Sequence, residues 1–363
     1  NMLSRIKPIQ TTLQLPLAEA IGYVLAEDIL SPIFVPPFDN SAMDGYAIRI
    51  ADLNSNATMP VAGKSFAGQP FEGEWPQGSC VRIMTGAKIP DGCDAVIMQE
   101  NTVVGEDGVT FTQTEVKPQN NIRPTGDDIR KGDIVLPKGS RLTSRDIPMI
   151  ATLGISHVTV VRKPHVAFFS TGDELKPLGQ PLAEGQIYDS NRYGIKPLIE
   201  NFGCEPIDLG IIPDCPETLK ATFEQAQSLA DVVVTSGGVS VGEADYTKDS
   251  LEELGEIGFW KLAIKPGRPL AFGCLPNGKF LGLPGNPVAS MVAFHQIALP
   301  GLQRLSGQSP VPRVRLKAIA AEPFKKRPGR TDFQRGVWST DPQGNIRVSP
   351  LANQSSGVLS SIS

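Results

Sequence analysis

The strongest constraint on the fold is a regular alternation of strand-like and helix-like segments between residues 164 and 306. Short apolar runs predict strands at residues 165–170, 207–212, 231–235 and 279–283, and longer segments predict helices at 190–202, 216–229 and 287–305. Pro197 falls inside the first of these helices and predicts a local kink. Because strands that alternate with helices form parallel sheets covered on both faces, the region predicts a three-layer α/β domain with a parallel-dominated sheet.

The rest of the chain has a different pattern. Between residues 31 and 126, short apolar runs are separated by glycine and proline, which predicts a β-rich insert. A helix is predicted on either side of this insert, at 16–25 and at 143–153, the second ending at Gly154. The predicted domains are a discontinuous helix-bearing linker domain (1–30 and 127–162), the β-rich insert domain (31–126), the α/β domain (163–308) and a basic C-terminal β domain (309–363). The fold class is multidomain α/β plus β.

Composition excludes several functions. The formal net charge of −4 offers no positive surplus for nucleic acid or anionic lipid, and no apolar run is long enough to span a bilayer. The five cysteines lack CxxC spacing, which fits reduced thiols in a cytoplasm, and the three histidines are not spaced as metal ligands. We therefore expect a soluble cytoplasmic protein without a nucleic-acid or membrane partner, in which any metal is a carboxylate-bound cation such as Mg²⁺.

Unusual polar turns follow the predicted strands of the α/β region. They are Ser170–Glu174, Pro213–Asp214, Ser236–Asp245 and Pro284–Pro287. Because ligands of open α/β sheets bind outside the carboxyl ends of the strands, we expect these turns to converge on one site.

The loops at this edge carry groups that bind cations and groups that bind anions. Glu174, Asp214 and Asp245 are candidate oxygen ligands for Mg²⁺, although Asp214 is also an obvious helix N-cap before Pro216. The turn of Ser236, Gly237 and Gly238 can present backbone N–H groups to a phosphate. Lys261, Lys265 and Arg268 add positive charge downstream. Together these groups indicate magnesium-assisted chemistry on a phosphorylated ligand.

Two other motifs are poor matches. Residues 63–65 resemble the end of a phosphate-binding P-loop, but Thr58 stands where that motif requires glycine. Residues 238–242 match the nucleophile pattern G-x-S-x-G, but the downstream His295 lies in an apolar helical segment and is interpreted as a core histidine. Asp44 before Gly45 is, taken alone, most simply a turn.

Seven motifs in their order along the chain resemble the molybdopterin molybdenumtransferase family, which includes bacterial MoeA and the E domain of gephyrin. They are PPFDNSAMDGYA, VRIMTGAKIPDGCDAVIMQE, STGDEL, GQIYDSN, TSGGVSVGEADY, FWKLAIKPGRPLAFG and GLPGNPVAS. The resemblance implies a transferase of molybdenum cofactor biosynthesis, which inserts molybdate into adenylylated molybdopterin, releases AMP and uses Mg²⁺. It also implies that the α/β domain binds molybdopterin, and that a homodimer forms the active cleft.

The resemblance further implies the site residues. The expected catalytic residues are Asp44, Thr85, Asp128, Glu174, Asp214 and Asp245, of which Glu174, Asp214 and Asp245 are also the expected metal ligands. The expected substrate-binding residues are Ser236, Gly237, Gly238, Lys261, Lys265, Pro284, Pro287, Arg335 and Ser356. Lys265, Arg335 and Ser356 are expected to hold molybdate, and the acids of the insert are expected to come from the partner subunit.

The resemblance leaves two alternative functions. One is the molybdopterin adenylyltransferase, which carries a similar SGGVS-type loop on the same fold, and the other is a non-catalytic scaffold like gephyrin. The expected partners of the transferase are a separate adenylyltransferase and downstream cofactor-handling proteins. Compared with the family, the C-terminal β domain is expected to be incomplete, since the chain stops at Ser363.

Overall fold

The computed structural model describes residues 2–53, 58–113, 115–239, 246–311 and 313–362. The chain divides into two compact units. The first, here called the α/β unit, consists of Asn1–Glu27, Lys138–Thr143 and His157–Ser363. The second, here called the β unit, consists of Asp28–Pro137 and Ser144–Ser156. The finer division into four domains stays a prediction.

The first segment of the α/β unit is mostly extended. Its elements are a 3-10 turn (Leu3–Arg5), β1 (Thr12–Pro16), a second 3-10 turn (Leu17–Glu19) and β2 (Val24–Leu25). The predicted helix at 16–25 is therefore wrong. Gly22 has a φ of +85°, which an α-helix does not accommodate, and its N–H donates to the Leu142 carbonyl. Antiparallel pairing with residues 157–161 outweighs the local helical pattern.

The β unit consists almost entirely of short strands. They are β3 (Ile29–Leu30), β4 (Asn40–Ser41), β5 (Gly45–Ile48), β6 (Thr58–Met59), β7 (Val61–Ser65), β8 (Cys80–Ile83), β9 (Ala95–Met98), β10 (Thr102–Gly105), β11 (Gly108–Phe111), β12 (Ile122–Arg123) and β13 (Ile134–Leu136), with 3-10 turns at Ile50–Asp52 and Gln99–Asn101. The main sheets have the orders β7-β8-β5-β9 and β10-β11-β6, and the pairs β12-β4 and β13-β3 complete the set. The predicted β-rich character of this part is confirmed.

Strand β5 anchors the core of the β unit. Tyr46 and Ile48 pack into one buried cluster and Ala47 into another, as the two-residue period of a strand requires. Gly45 has no room for a side chain, because a Cβ there would collide with the Ile97 carbonyl. The requirement for glycine directly after Asp44 is therefore steric.

The helix predicted at 143–153 is confirmed in a shorter form. Helix α1 spans Asp146–Thr152. Gly154 follows it with a φ of +75°, the left-handed conformation that ends many helices.

The remaining elements of the α/β unit follow in chain order. The strands are β14 (His157–Val161), β15 (His165–Thr171), β16 (Leu175–Lys176), β17 (Ile187–Tyr188), β18 (Glu205–Ile212), β19 (Val232–Ser236), β20 (Glu256–Lys261), β21 (Ile264–Lys265), β22 (Pro269–Leu275), β23 (Gly278–Leu283), β24 (Ile319–Ala320), β25 (Thr331–Asp332), β26 (Gly336–Thr340) and β27 (Ile346–Pro350). The helices are α2 (Asn191–Asn201), α3 (Pro216–Leu229), α4 (Tyr246–Leu254), α5 (Pro287–Ala293) and α6 (Leu299–Leu305), with a final 3-10 turn at Leu359–Ser361.

A six-stranded sheet of order β18-β15-β19-β23-β22-β20 organises this unit. The four strands predicted from the sequence are its parallel part, and β22 and β20 extend it in antiparallel pairing. Alternate residues of β15 enter different cores: Val166 and Phe168 pack under α2 and α6, and Ala167 and Phe169 pack under α3. The predicted three-layer arrangement is therefore confirmed.

The predicted helix at 287–305 is continuous but changes pitch. Helices α5 and α6 are joined by a π-helical turn, Phe294–Ala298. Pro300 follows directly and has no N–H to donate to the preceding turn, so the wider turn spares the helix a steric clash. Pro197 likewise lies inside α2, as predicted.

Four smaller sheets complete the described part of the α/β unit. They are β1-β14-β2, β24-β27-β26 and the parallel pairs β16-β17 and β21-β25. Among the described residues, no helix is both long enough and apolar enough to cross a membrane.

Candidate functional site

A cavity of about 420 Å³ lies at the carboxyl edge of the parallel strands. The turns after β15, β18, β19 and β23 all contribute to its wall, and the predicted convergence is thus confirmed. The residues predicted as site residues that line it are Glu174, Asp214, Ser236, Gly237, Gly238, Pro284 and Pro287. Asp245 lies outside the described residues, as does Ser240 of the G-x-S-x-G pattern.

Carboxylates crowd one side of this cavity. The Asp214 N–H donates to the Asp173 carboxylate at 3.2 Å, and Glu174 lines the same wall. Although Asp214 is exposed as a whole residue, desolvation of its carboxyl raises its pKa, and the negative charges of Asp173 and Glu174 raise it further. None of these acids has an ion-pair partner among the described residues.

The glycine turn after β19 is shaped by close approach. Gly237 and Gly238 have φ values of +92° and +64°, and a Cβ on Gly238 would collide with the hydroxyls of Thr171 and Thr247. The Gly237 N–H donates to the Leu283 carbonyl at 3.2 Å. The expectation of several free N–H groups in a row is therefore wrong at Gly237, because sheet pairing with β23 uses that donor.

Hydroxyl groups supply part of what the glycine turn lacks. The Oγ1 atom of Thr171 is buried, lines the cavity wall and has no hydrogen-bond partner in the described part of the chain. Thr247, at the start of α4, has a buried Oγ1 in the same condition. Unpaired buried hydroxyls are costly in a folded protein and mark positions where a ligand or water completes the hydrogen bonding.

A second set of predicted residues lies beside the cavity. Asn286 lines the cavity and its Nδ2 donates to Ser356 Oγ at 3.1 Å. The Val288 N–H, in the first turn of α5, donates to the Ser356 carbonyl. Ser356 is thus fixed against the loop after β23.

Arg335 lies next to Ser356 along the same segment. Its Nη2 donates to the carbonyl oxygens of Asn353 and Ser355, at 3.2 and 3.1 Å. Its Nε and Nη1 atoms are buried and find no acceptor among the described residues. A guanidinium with two unused donors is suited to an oxyanion.

The two predicted lysines differ in their contacts. Lys265 Nζ lies 3.7 Å from Asp332 Oδ2, where β21 pairs with β25. Arg335 follows three residues after Asp332. Lys261 is exposed at the end of β20, opposite Pro269, which lines the cavity. Lys261 has no ion pair within the described residues.

The predicted acids Asp44 and Asp128 belong to the β unit, with Thr85. Asp44 Oδ1 accepts hydrogen bonds from the Thr85 N–H at 2.8 Å and the Thr85 hydroxyl at 2.7 Å, which lowers the pKa of Asp44. Asp128 is exposed, and its turn is held by Asp39, whose Oδ1 accepts two hydrogen bonds of 2.7 Å from Thr125. Asp44 and Asp39 therefore make the same kind of contact: one carboxylate oxygen accepts from both the N–H and the hydroxyl of a threonine.

Sequence reasoning assigned no role to Asp189 and Asn191. Asp189 is 1% exposed and accepts hydrogen bonds from Ser170 Oγ and Arg192 Nε. Asn191 Nδ2 donates to Ser236 Oγ and to the Gly285 carbonyl. Both residues lie in the GQIYDSN motif, whose position between a strand and a helix was the available signal.

The interpretation of His295 as a core histidine is wrong. The residue is exposed, and only its ring edge packs on Phe202 and Phe294, with ring centroids 5.8 and 6.3 Å away. Among the described residues no group of three or more His, Cys, Asp or Glu side chains forms a ready metal site.

Comparison with known proteins identifies the family. The chain matches the MoeA N-terminal region, domains I and II, over residues 1–154, the probable molybdopterin-binding domain over 167–304, and the MoeA C-terminal region, domain IV, over 317–363. These matches cover most of the chain, and the chain belongs to the MoeA family.

Individual relatives agree. The chain is 52% identical to a molybdopterin molybdenumtransferase of Haemophilus influenzae over 99% of this chain and 89% of that protein. It is 36% identical to gephyrin of Dictyostelium discoideum over 80% of this chain and 46% of that protein. The crystal structure of a molybdopterin biosynthesis MoeA protein from Pyrococcus horikoshii superposes with a TM-score of 0.84 at 33% identity, covering 99% of this chain and 90% of that one.

Proposed function

We propose that this chain is a molybdopterin molybdenumtransferase: it inserts molybdate into adenylylated molybdopterin and releases AMP. The relatives that bear this name support the assignment, at 52% identity in the Haemophilus protein. The observation that carries it is the unsatisfied guanidinium of Arg335 next to Ser356, which Asn286 ties to the acid-lined cavity. One unit thus offers a place for an oxyanion beside a place for a phosphorylated ligand.

Molybdate is the substrate that this oxyanion place fits. A dianion is stabilised by charge-assisted hydrogen bonds, and the buried Nε and Nη1 donors of Arg335 have no other acceptor among the described residues. Lys265 adds positive charge from the neighbouring strand, because β21 pairs with β25 and Arg335 follows shortly after β25 in the chain. The hydroxyl of Ser356 accepts from Asn286, so its own proton can be donated to an oxygen of molybdate.

The carboxylates fit a hard divalent cation. Desolvation raises the pKa of Asp214, the negative charges of Asp173 and Glu174 raise it further, and a cation would relieve that repulsion. Glu174 and Asp214 are the proposed ligands of Mg²⁺, together with Asp245, which lies outside the described residues. Bound there, Mg²⁺ would neutralise negative charge on the adenylate phosphate.

The chain's own residues orient the substrate. Pro284 and Pro287 shape one wall of the cavity, and the turn of Ser236, Gly237 and Gly238 receives the phosphate end of the substrate. Lys261, exposed at the end of β20, lies at the sheet position opposite the cavity-lining Pro269 and attracts the anionic substrate. Because these groups are already placed, little reorganisation is needed when the phosphate bond to AMP breaks.

A homodimer is part of this proposal. Asp44, Thr85 and Asp128 of the β unit are proposed to act in the cleft of a second copy of the chain. The double hydrogen bond from Thr85 keeps Asp44 ionised, as an acid that orients a substrate donor must be. The proposed setting is the cytoplasm, where a separate adenylyltransferase supplies the substrate and cofactor-handling proteins take the product.

The test is AMP release from adenylylated molybdopterin, with and without molybdate, for the unmutated chain and for Asp245→Ala. We expect release that molybdate stimulates and that the variant loses. Formation of pyrophosphate from ATP and molybdopterin would instead identify the adenylyltransferase. No turnover of either kind, in a folded dimer, would contradict the proposal and favour a scaffold.

A further inference from the structure

Asn191, the first residue of α2, ties together two loops of the cavity. Its Nδ2 lies 2.7 Å from Ser236 Oγ and 2.6 Å from the Gly285 carbonyl oxygen. Ser236 ends β19 and Gly285 follows β23, so one amide group joins the loops after two neighbouring parallel strands.

The orientation of this amide follows from its partners. A carbonyl oxygen can only accept, so the group of Asn191 that faces Gly285 must be the NH₂ and not the oxygen. The same nitrogen faces Ser236, because one Nδ2 atom makes both contacts. Ser236 Oγ is therefore the acceptor of the hydrogen bond from Asn191.

This leaves the Ser236 proton without an acceptor among the described residues. Ser236 is 2% exposed, lines the cavity and donates to no described residue. A serine hydroxyl has one proton and two lone pairs, and a lone pair is what Asn191 occupies. The hydroxyl is thus preset as a donor toward the cavity.

Asn191 is itself held rigidly. The neighbouring Asp189, 1% exposed, accepts hydrogen bonds from Ser170 Oγ at 3.0 Å and from Arg192 Nε at 3.0 Å. Arg192 also pairs with Asp208 at 2.7 Å. The start of α2 is therefore fixed to β15 and β18, and the amide of Asn191 is held in place by that framework.

We propose that Asn191 is a positioning residue that sets the polarity of the cavity: it makes Ser236 a dedicated hydrogen-bond donor to an anionic oxygen of the adenylylated substrate. The inference rests on the proposed function for the identity of that substrate. It extends the function, because the pair directs a hydrogen-bond donor at the position where an ionised phosphate oxygen, which can only accept, would lie.

The Asn286–Ser356 pair has the same donor direction. Asn286 Nδ2 donates to Ser356 Oγ at 3.1 Å, which leaves the Ser356 proton without an acceptor among the described residues. The two pairs are separate in the chain and lie at the cavity and at the proposed molybdate place. We therefore expect the first pair to govern the phosphate end of the substrate and the second to govern molybdate.

The decisive variant is Asn191→Asp, which keeps the shape of the side chain and removes the donor. At neutral pH the carboxylate would accept the Ser236 proton and face the Gly285 carbonyl with a negative charge. A charge-assisted hydrogen bond contributes about 1.5–3 kcal/mol, so we expect KM for adenylylated molybdopterin to rise ~10- to ~150-fold, with a smaller change in kcat. Affinity for AMP alone, measured by calorimetry without turnover, should fall in the same variant.

The pH dependence separates positioning from a merely structural role. Protonation gives the carboxyl in Asn191→Asp a hydrogen to donate, so its AMP affinity should recover as the pH falls, whereas the unmutated chain should show no such gain. Asn201→Asp, at the exposed other end of α2, is the matched control and should leave KM and AMP affinity unchanged. Thermal unfolding reports whether each variant is folded.

The outcomes distinguish the inference from the function. If the unmutated chain releases AMP with molybdate while Asn191→Asp keeps the same KM and AMP affinity, the inference is overturned and the function stands. If the unmutated chain releases no AMP but binds it, and the variant binds it more weakly, the function fails and the role of Asn191 stands. Ser236→Ala should abolish the effect of Asn191→Ala on AMP affinity, and additive losses would also overturn the inference.

Discussion

The two units hold their acids in opposite ways. In the β unit, Asp44 accepts two hydrogen bonds from Thr85, and its pKa is lowered. In the α/β unit, desolvation raises the pKa of Asp214, and the negative charges of Asp173 and Glu174 raise it further. The first carboxylate is satisfied by its own chain, whereas the second lacks a cationic partner among the described residues. The contrast agrees with the proposed roles of Asp44 as a positioned acid and of Asp214 as a ligand of a cation.

The same contrast applies to neutral and basic groups. The α/β unit leaves buried donors unpaired at Arg335 and buried hydroxyls unpaired at Thr171, Thr235, Thr247 and Ser290. All buried side-chain atoms without partners in the described residues belong to this unit. Because unsatisfied buried groups are costly, their concentration in this unit favours it as the proposed place where substrate completes the hydrogen bonding.

The largest effect is expected at Arg335. Arg335→Gln removes the positive charge and the unpaired donors while keeping a side chain of similar length, so molybdate-stimulated AMP release should fall ~10²- to ~10³-fold. The measurement is AMP release against molybdate concentration. Arg347→Gln is the control, because Arg347 is an exposed residue whose Nε lies 3.7 Å from Asp341, and it should retain full activity. Equal rates for the two variants would show that the unpaired donors of Arg335 have no special role in the reaction.

The second prediction concerns Asp214. Asp214→Asn should lower AMP release ~100-fold and remove its dependence on Mg²⁺, because the variant lacks a charged ligand. The thermal stability of Asp214→Asn, by contrast, should not fall. A carboxyl with a raised pKa stabilises the fold most below its unfolded pKa, and that contribution is lost as pH rises through the folded pKa. At neutral pH without Mg²⁺, the variant should therefore unfold at the same temperature as the unmutated chain or above it.

The controls for this prediction use Mg²⁺ itself. Adding Mg²⁺ should raise the unfolding temperature of the unmutated chain but not that of Asp214→Asn. Asp107→Asn, in an exposed turn of the β unit, should respond to Mg²⁺ as the unmutated chain does. A stabilising effect of Mg²⁺ that survives Asp214→Asn would contradict the assignment.

The third prediction concerns Asp44 of the β unit, whose pKa shift is opposite to that of Asp214. Asp44→Asn should lower the unfolding temperature at neutral pH, because the two Thr85 donors lose a charged acceptor. The lowered pKa means that this stabilisation is present above the unfolded pKa and is lost as pH falls through the folded pKa. Thermal unfolding of both proteins across acid pH should show their difference shrinking. A difference that does not change with pH would show that the charge of Asp44 does not stabilise the turn.

The smallest effect is expected for the cysteine thiols. Burial raises thiol pKa values in both units, so the two units behave alike here. Burial raises the pKa of Cys80 and Cys93 in the β unit to about 11 and that of Cys204 in the α/β unit to about 12. At neutral pH these thiols are protonated and should not react with a thiol reagent in the folded protein. Mass spectrometry after labelling should find modification only at Cys215 and Cys274. Rapid labelling of Cys204 would show that its surroundings open.

The sequence predicted the parallel sheet because β15, β19 and most of β23 are buried and read as continuous apolar runs. It failed for residues 16–25, where pairing with β14 overrides a helical pattern. It also missed β20 and β22, whose glycines and prolines obscure the strand pattern although they complete the sheet. β20 is the edge strand and β22 lies inside the sheet, and both take their places through tertiary pairing that the local pattern does not report.

The candidate site was predictable to a similar extent. Loops after parallel strands identified Glu174, Asp214 and Ser236, since their position follows from topology alone. Asn191 could not be found in this way, because an asparagine in the first turn of a helix is commonly a cap. Its function depends on the distance of one nitrogen to two loops, which only the three-dimensional arrangement supplies.

Locating bound molybdate tests most directly whether Arg335 holds it. Crystals of the chain grown with molybdate and AMP would be measured at the molybdenum absorption edge, where the anomalous signal identifies the metal. If Arg335 holds molybdate, the peak should lie where the molybdate oxygens are within hydrogen-bond distance of Arg335 Nε and Nη1, which have no acceptor among the described residues. A peak in the β unit, or at the carboxylates of Glu174 and Asp214 with Arg335 still unpaired, would contradict it.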